Sequence, residues 1–400
     1  MVHFWALGRE GEVVRHLVPA FEALHPGVRI DIQQIPFTAA HEKLLTAFVG
    51  RTTPDAAQIG NTWIPEFVAL GALAPLDGRI ETARDIDPKD YFPGIWDTNV
   101  ISGKVWGVPW YVDTRVIFYR TDLVAGEPWP PRSWAEWRKV MIDIRKRGGR
   151  DHYAILLPLD EYTQPVILAL ETGSKLLSDG GRYGSFETPA FRRAMSFYVS
   201  LFADDLAAPV DRTDLGNLYQ GFARGAFAMV ITGPWNLGEF ERRLPLALKD
   251  RWATAPMPPP DPGMKYPGVS LAGGSSLVLF RHAHDSEAAW QWIEYLSASE
   301  RQAEFYKLSG DLPARRSAWE RTDLAHDEQA SAFRVQLENV VTTPKVPEWE
   351  QIANRIAEAA DQVVRGGRSL DGSLASLTRD VDRMLEKRRW MLDHKAGGER

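Results

Sequence analysis

Residues 106 to 122 read Trp-Gly-Val-Pro-Trp-Tyr-Val-Asp-Thr-Arg-Val-Ile-Phe-Tyr-Arg-Thr-Asp, and they gather side chains suited to holding a polyhydroxylated ring. Trp106, Trp110 and Tyr111 follow no helical period, Asp113 and Arg115 come just after them, and the apolar run Val116 to Tyr119 reads as a strand. Aromatic rings cover the C–H face of a pyranose, while a carboxylate and a guanidinium bind its hydroxyls through charge-assisted hydrogen bonds. A strand with buried aromatics fits the same letters, since most aromatic runs are core. Two other places carry such groups just past a strand: Asn61-Thr62-Trp63 after Asp55 to Ile59, and Trp235 after the apolar run Ala228 to Thr232 and the breaker Gly233-Pro234. Glu10 and Glu12, in the loop 8–12, add two carboxylates at the C-terminal edge of a sheet, where α/β proteins bind ligands.

The elements that must position these groups alternate. Val2 to Leu7 reads as a strand; Val13, Val14, Leu17, Val18, Phe21 and Leu24 keep a helical period up to His25-Pro26-Gly27; Val28, Ile30 and Ile32 then alternate as a second strand. A strand, a helix and a strand predict a parallel pair, because such a crossover needs a helix between parallel strands. The first loop has two glycines but neither the Lys-Ser/Thr ending of a phosphate-cradling loop nor the third glycine of a dinucleotide fingerprint. A helix from His41 to Val49 and a short one from Glu66 to Leu70 flank the strand at Asp55. A second α/β run begins where Ser133 caps a helix over Trp134 to Arg147, with Glu136 at the capping-box position. Tyr153 to Leu157 is its strand; helices follow near Thr163 to Glu171 and on the stripe Phe191, Met195, Tyr198, Phe202. Residues 257–269 carry five prolines and read as a return linker to a strand at Leu277 to Phe280 and a helix capped by Ser286. Gly310-Asp-Leu-Pro-Ala314 is a second breaker, and the rest of the chain is helical.

Four hundred residues exceed what one hydrophobic core usually serves, so two domains are expected. The formal charge of −6, with no basic stripe, argues against a nucleic-acid partner. No apolar stretch approaches the roughly 20 residues that span a bilayer, and no signal-peptide core follows Met1. The absence of cysteine removes disulfides, thiolate zinc sites and a cysteine nucleophile. His3, His16, His25 and His41 lack ligand spacing, so neither a metal nor any other cofactor is expected. Fifteen tryptophans are the compositional outlier.

Several segments in order, among them Phe21-Glu-Ala-Leu-His-Pro-Gly-Val28, Pro54-Asp55, Gly71-Ala-Leu-Ala-Pro-Leu-Asp77, Gly107-Val-Pro-Trp-Tyr-Val-Asp113, Tyr119-Arg-Thr-Asp-Leu123, Pro131-Arg-Ser-Trp134, Phe222 to Trp235 and Gly310-Asp-Leu-Pro-Ala314, carry a resemblance over nearly the whole chain. The sequence resembles the extracellular solute-binding proteins of family 1 that deliver sugars to ABC importers, and within them the trehalose/maltose-binding group. The resemblance implies a periplasmic-binding-protein-like α/β fold: two lobes, a hinge and a central ligand cleft. The lobes would be 1–110 with 270–314 and 111–269 with 315–400, with hinge crossings near 110–113, 265–270 and 312–316. It implies as cleft groups Glu10 or Glu12, Asn61 to Trp63, Tyr111 and Asp113, Trp235, and Gly273, Gly274 and Ser275 at the return; Trp110 and Arg115 complete the candidate set from their own chemistry. Related disaccharide binders can carry an acid at the second loop, where this chain has Gly60-Asn61-Thr62. The implied partners are a disaccharide or other sugar and an ABC importer permease, with the protein a monomer in an extracytoplasmic location, its export signal lying outside this sequence and no N-terminal cysteine marking a lipid anchor. Two other functions fit some residues: a binder of glycerol phosphate or an oligosaccharide, and a glycoside hydrolase with Glu12 and Asp113 as acid and nucleophile, which would need the two about 5 to 10 Å apart.

Overall fold

The computed structural model describes residues 1–149, 152–211 and 217–395. The chain forms two compact units, Met1–Thr114 with Ala272–Asp327, and Arg115–Leu271 with the residues from Glu328 onward. The strands of the two main sheets are β1 (Val2–Leu7), β2 (Ile30–Ile35), β3 (Ala56–Gly60), β4 (Val108–Asp113), β5 (Val116–Arg120), β6 (Tyr153–Leu156), β7 (Phe227–Thr232), β8 (Trp252–Ala255) and β9 (Gly273–Leu279).

In the first unit the order is β2-β1-β3-β9-β4. β1 pairs in parallel with β2 and β3, as the strand–helix–strand reading predicts. β9, which enters after the long excursion through the second unit, is antiparallel to β3 and to β4. The C-terminal ends of β1, β3 and β4 therefore share one sheet edge with the start of β9, and Ser275 lies opposite both Gly60 and Tyr111. Helices cover the faces. Trp292 of the helix Ser286–Ser297 is fully buried and meets the edges of Phe4 and Phe21 at 6.0 and 4.9 Å between ring centroids. That helix is capped by Asp285, whose carboxylate accepts the Ala288 N–H at 3.0 Å, and not by Ser286; a carboxylate at that place also complements the helix dipole.

The second unit has the order β8-β5-β7-β6, with β7 parallel to β6 and antiparallel to β5. Ser133 caps the helix Trp134–Gly148, accepting the Glu136 N–H, while the Glu136 carboxylate reaches back to the Arg132 N–H at 2.7 Å. The excess of tryptophan is a matter of core. Ten of the fifteen are buried, Trp137 and Trp349 in the second unit and Trp292 and Trp319 in the first among them.

The boundaries differ from those expected. Residues 111–114 stay with the first unit because Tyr111 to Asp113 are in register with β9 and the Val112 N–H donates to the Leu312 carbonyl at 2.9 Å. Residues 315–327 also stay there, because Arg315 is ion-paired with Asp90 at 2.6 Å, the Ser317 N–H donates to Asp90 at 2.9 Å, and the Trp319 indole N–H donates to the Pro313 carbonyl at 2.9 Å. The chain leaves the first unit finally at 327/328, not at 312–316.

The contact between β9 and β4 is backbone against backbone. Gly274 has φ +127°, and a Cβ there would lie 2.3 Å from the Tyr111 carbonyl oxygen. No L side chain occupies that space without moving β4. Gly274→Ala is expected to lower stability by about 2 kcal/mol or more in denaturant titration, the upper range for a strained φ joined to a steric clash.

Candidate functional site

The edge shared by β1, β3, β4 and β9 carries one hydrogen-bonded cluster. Along β4 the side chains alternate: Trp110 and Val112 are buried on one face, and Tyr111 and Asp113 are partly exposed on the other. The Tyr111 hydroxyl accepts from Gln58 Nε2 at 3.0 Å and from Ser275 Oγ at 2.9 Å, and donates to Glu10 Oε1 at 3.4 Å. Gln58 is fully buried in β3, its other end accepting the Leu7 N–H at 2.9 Å. One phenol thus ties the ends of β1, β3, β4 and β9 together. Asp311 joins the cluster just after the left-handed Gly310 ends the helix Ser299–Ser309. Burial pushes its carboxyl up to about 7, and the charges of Glu10 and then Asp113 push the same way against the Ser309 hydroxyl and Arg9. Burial also raises Glu10, against the hydrogen bonds it accepts from its own backbone and from Tyr111. Tyr111 is held far above its ordinary range, first by burial and then by Glu10 and Asp311, so the phenol stays a neutral donor.

In the second unit the groups sit at the C-terminal edge of β7 and β6. Trp235 follows β7 through Gly233-Pro234 and is 46% exposed. The Arg115 guanidinium lies over its ring, 4.5 Å from the centroid, and is 3.8 Å from Glu161 Oε1. Thr163 Oγ1 donates to the same carboxylate oxygen at 2.6 Å. Asn236, next along, is buried, donating to Thr232 Oγ1 at 2.7 Å and accepting the Tyr219 hydroxyl at 2.8 Å. This placement of the ring requires glycine before it: a Cβ on residue 233 would stand 2.0 Å from the Trp235 ring.

Of the residues singled out in the sequence, Glu10, Tyr111, Asp113, Gly273, Gly274 and Ser275 come together in the first unit, and Arg115 and Trp235 in the second. Asn61 is beside them, buried, its amide donating to the Ala272 carbonyl at 3.1 Å, and Thr62 is partly exposed in the same turn of 3-10 helix. Glu12 is not brought in. Glu10 to Val13 form a short helix, not a loop, so Glu12 is exposed and accepts from Gln34 at 3.3 Å. Trp63 and Trp110 are core: Trp63 packs on Phe37 and His41, and Trp110 on Phe305 at 4.2 Å. Gln58, Asp311 and Glu161 went unread in the sequence. A lone glutamine inside the apolar strand Ala56-Ala57-Gln58-Ile59 was a signal, since a buried amide must find partners. For Asp311 no local signal shows the cluster, because the carboxylates it faces, Asp113 and Glu10, are about 200 and 300 residues away in the chain.

A carboxyl whose folded pKa is raised binds protons that the unfolded chain has already lost. Asp311 therefore withdraws stability as pH rises from about 4, the unfolded value, to about 7, and no further above it. Asp311→Asn in the ligand-free protein is expected to be more stable than wild type at pH 7, by roughly 1 to 4 kcal/mol, with the difference shrinking toward pH 4 in denaturant titrations.

Residues 5–303 match the family described as bacterial extracellular solute-binding protein. The fold aligns with the sugar-binding protein MalE of Xanthomonas citri at a TM-score of 0.94 and 46% identity, covering 98% of this chain and 99% of the other. It aligns with the GacH receptor of Streptomyces glaucescens, solved unliganded and with acarbose, at 0.80 and 25% identity over 96% and 98% of the two chains. In sequence it is 28% identical to the diacetylchitobiose binding protein DasA of Streptomyces coelicolor over 82% of this chain and 75% of that protein. These are solute-binding proteins and not enzymes, so the carboxylates assembled here are not those of a glycoside hydrolase. The chain belongs to the bacterial extracellular solute-binding proteins.

Proposed function

We propose that the protein captures a sugar, a disaccharide such as maltose or trehalose, and delivers it to the permease of an ABC importer outside the cytoplasm, acting as a monomer and closing about its hinge on the ligand. The observation that carries this reading is the set of carboxylates, Glu10, Asp113 and Asp311, around the Tyr111 hydroxyl. Crowded acceptors of this kind suit a neutral ligand rich in hydroxyl donors, each of which relieves part of their mutual repulsion. They repel a phosphate dianion, which disfavours glycerol phosphate at this site. Trp235, half exposed on a turn no core needs and already stacked on one cation, supplies an aromatic face of the kind a pyranose uses. The likeness to the Xanthomonas sugar-binding protein and to the diacetylchitobiose binder supports the sugar class.

Calorimetric titration with maltose, trehalose, sucrose and glycerol phosphate tests the reading, which fails if none of the sugars gives a saturable heat. Asp113→Asn keeps the shape and removes a charged acceptor; it is expected to cost about 2 to 3 kcal/mol of binding, a factor of roughly 30 to 150 in Kd. Trp235→Ala is expected to weaken sugar binding by more than about tenfold while leaving the melting temperature nearly unchanged. A large drop in melting temperature with affinity intact would make Trp235 a structural residue instead.

A further inference from the structure

The pair Asp-Gly occurs three times in the chain, at residues 77–78, 179–180 and 371–372. A glycine after aspartate leaves its amide nitrogen unshielded by a Cβ, so that nitrogen can attack the side-chain carboxyl one residue back. Whether it does depends on how firmly the peptide between them is held.

At 179–180 the peptide is loose. Both residues are exposed in the turn between 177–178 and 183–184, an antiparallel pair with Tyr183 opposite Ser178, and the Asp179 side chain is 69% exposed. The hydrogen bonds of the turn pass this peptide by. The N–H groups of Gly181 and Arg182 both reach the Ser178 carbonyl at 3.0 Å, while neither the Asp179 carbonyl nor the Gly180 N–H has a partner among the described residues. The peptide can therefore rotate and bring the Gly180 nitrogen toward Asp179 Cγ. Arg182 keeps its Nε 3.7 Å from the Asp179 carboxylate and bonds Asp393 at 2.6 Å, and an exposed pair of that length restrains little. The other two pairs are fixed. Asp77 opens the helix Asp77–Ile80, its carbonyl accepting the Glu81 N–H at 3.0 Å and its carboxylate the Val105 N–H at 3.3 Å. Asp371 lies in the helix Leu370–Met384 and is ion-paired with Arg192, while the Gly372 N–H donates to Ser369 Oγ at 3.2 Å.

We propose that Asp179 isomerises to isoaspartate in the folded protein, and that the change releases the C-terminal helix Glu386–Lys395. The Gly180 nitrogen bonds to Cγ of the neutral carboxyl group, and the carboxyl hydroxyl leaves as water with the amide hydrogen, closing a succinimide ring. Solvent water then adds at the former main-chain carbonyl and breaks its bond to the Gly180 nitrogen. The chain now runs through Cβ and Cγ of Asp179, one carbon longer, and the old main-chain carbonyl carbon becomes a free carboxylate. That carbon is added beside the groups that hold the helix. Arg388 Nε donates to the Gly181 carbonyl at 3.2 Å, Arg389 Nη1 to the Arg182 carbonyl at 2.9 Å, and Arg182 Nη1 to Asp393 at 2.6 Å. No side chain of residues 386–394 is buried, so the helix depends on such bonds for its attachment.

The test is ageing of the full chain at pH 6 and 37 °C, followed by tryptic digestion and electron-transfer fragmentation of the peptides that carry Asp77, Asp179 and Asp371. Isoaspartate is expected at Asp179 at least about tenfold faster than at the other two, since each of those must first break the hydrogen bonds that hold its peptide. Asp179→Asn is expected to form isoaspartate faster still through the same ring, with ammonia leaving in place of water, and Asp179→Glu, whose ring would be six-membered, to remain unmodified. Trypsin cleavage of the native protein after Arg388 and Arg389 is expected to quicken in aged wild type and not in aged Asp179→Glu. The proposal is overturned if Asp179 isomerises no sooner than Asp77 and Asp371, or if isoaspartate accumulates and the cleavage rate stays that of the fresh protein. No sugar enters these measurements, so the sugar reading and this one stand or fall separately.

Discussion

The Tyr111 hydroxyl is the interaction on which the first unit's edge depends. It accepts from Gln58 and Ser275 and donates to Glu10, so side chains from β3, β9, β4 and the turn after β1 are fixed through one oxygen. Neutral hydrogen bonds contribute about 1 kcal/mol each, and removing the phenol would leave the buried Gln58 Nε2 with only its 3.3 Å bond to Ser275 Oγ. The same oxygen sits within reach of the charges of Glu10, Asp311 and Asp113, which the fold holds together against their repulsion. A protein built only for stability would not keep them so. The cost is small beside the burial of Trp292, Trp319 and Phe21, each of which buries on the order of 150 to 250 Å².

How much of this was legible in the sequence depends on how local each feature is. The first strand–helix–strand, the cap at Ser133 and the helix Thr163–Glu171 are set by neighbouring residues, and the structure has them. The parallel pairing of β1, β2 and β3 follows from the helices between them, whereas the antiparallel insertion of β9 depends on a return from over 150 residues away. Trp110 and Tyr111 are adjacent and were both read as ligand groups. The two-residue alternation of a strand separates them, and counting from Asp113 would have put Tyr111 on its face and Trp110 in the core. Position after a strand says nothing about which way a ring turns: Trp63, in a 3-10 turn, is buried and packs on Phe37 and His41. Asp311 could not be read from its neighbours at all.

The two units solve the same problem differently. In the first, acceptors are crowded and an uncharged hydroxyl donor organises them. In the second, a guanidinium is shared between a carboxylate and an aromatic face, so Arg115 is held in place by Glu161 and itself braces Trp235. Gly233 makes that stack possible, because any side chain at 233 would fill the space of the indole. Both arrangements sit at the C-terminal edge of parallel strands, where side chains are presented without interrupting a backbone ladder.

If sugar hydroxyls bind at the carboxylates, they donate to the ionised forms and lower the Asp311 carboxyl from about 7. Binding must then expel protons. The direct measurement is calorimetric titration of the bound sugar at pH 7 in buffers of different ionisation enthalpy, for wild type and Asp311→Asn. Proton release of up to about half a proton per sugar in wild type, and far less in the variant, is the predicted result. Tight binding with no proton exchange, or with proton uptake, would mean that the sugar is held somewhere other than the Glu10, Asp113 and Asp311 cluster.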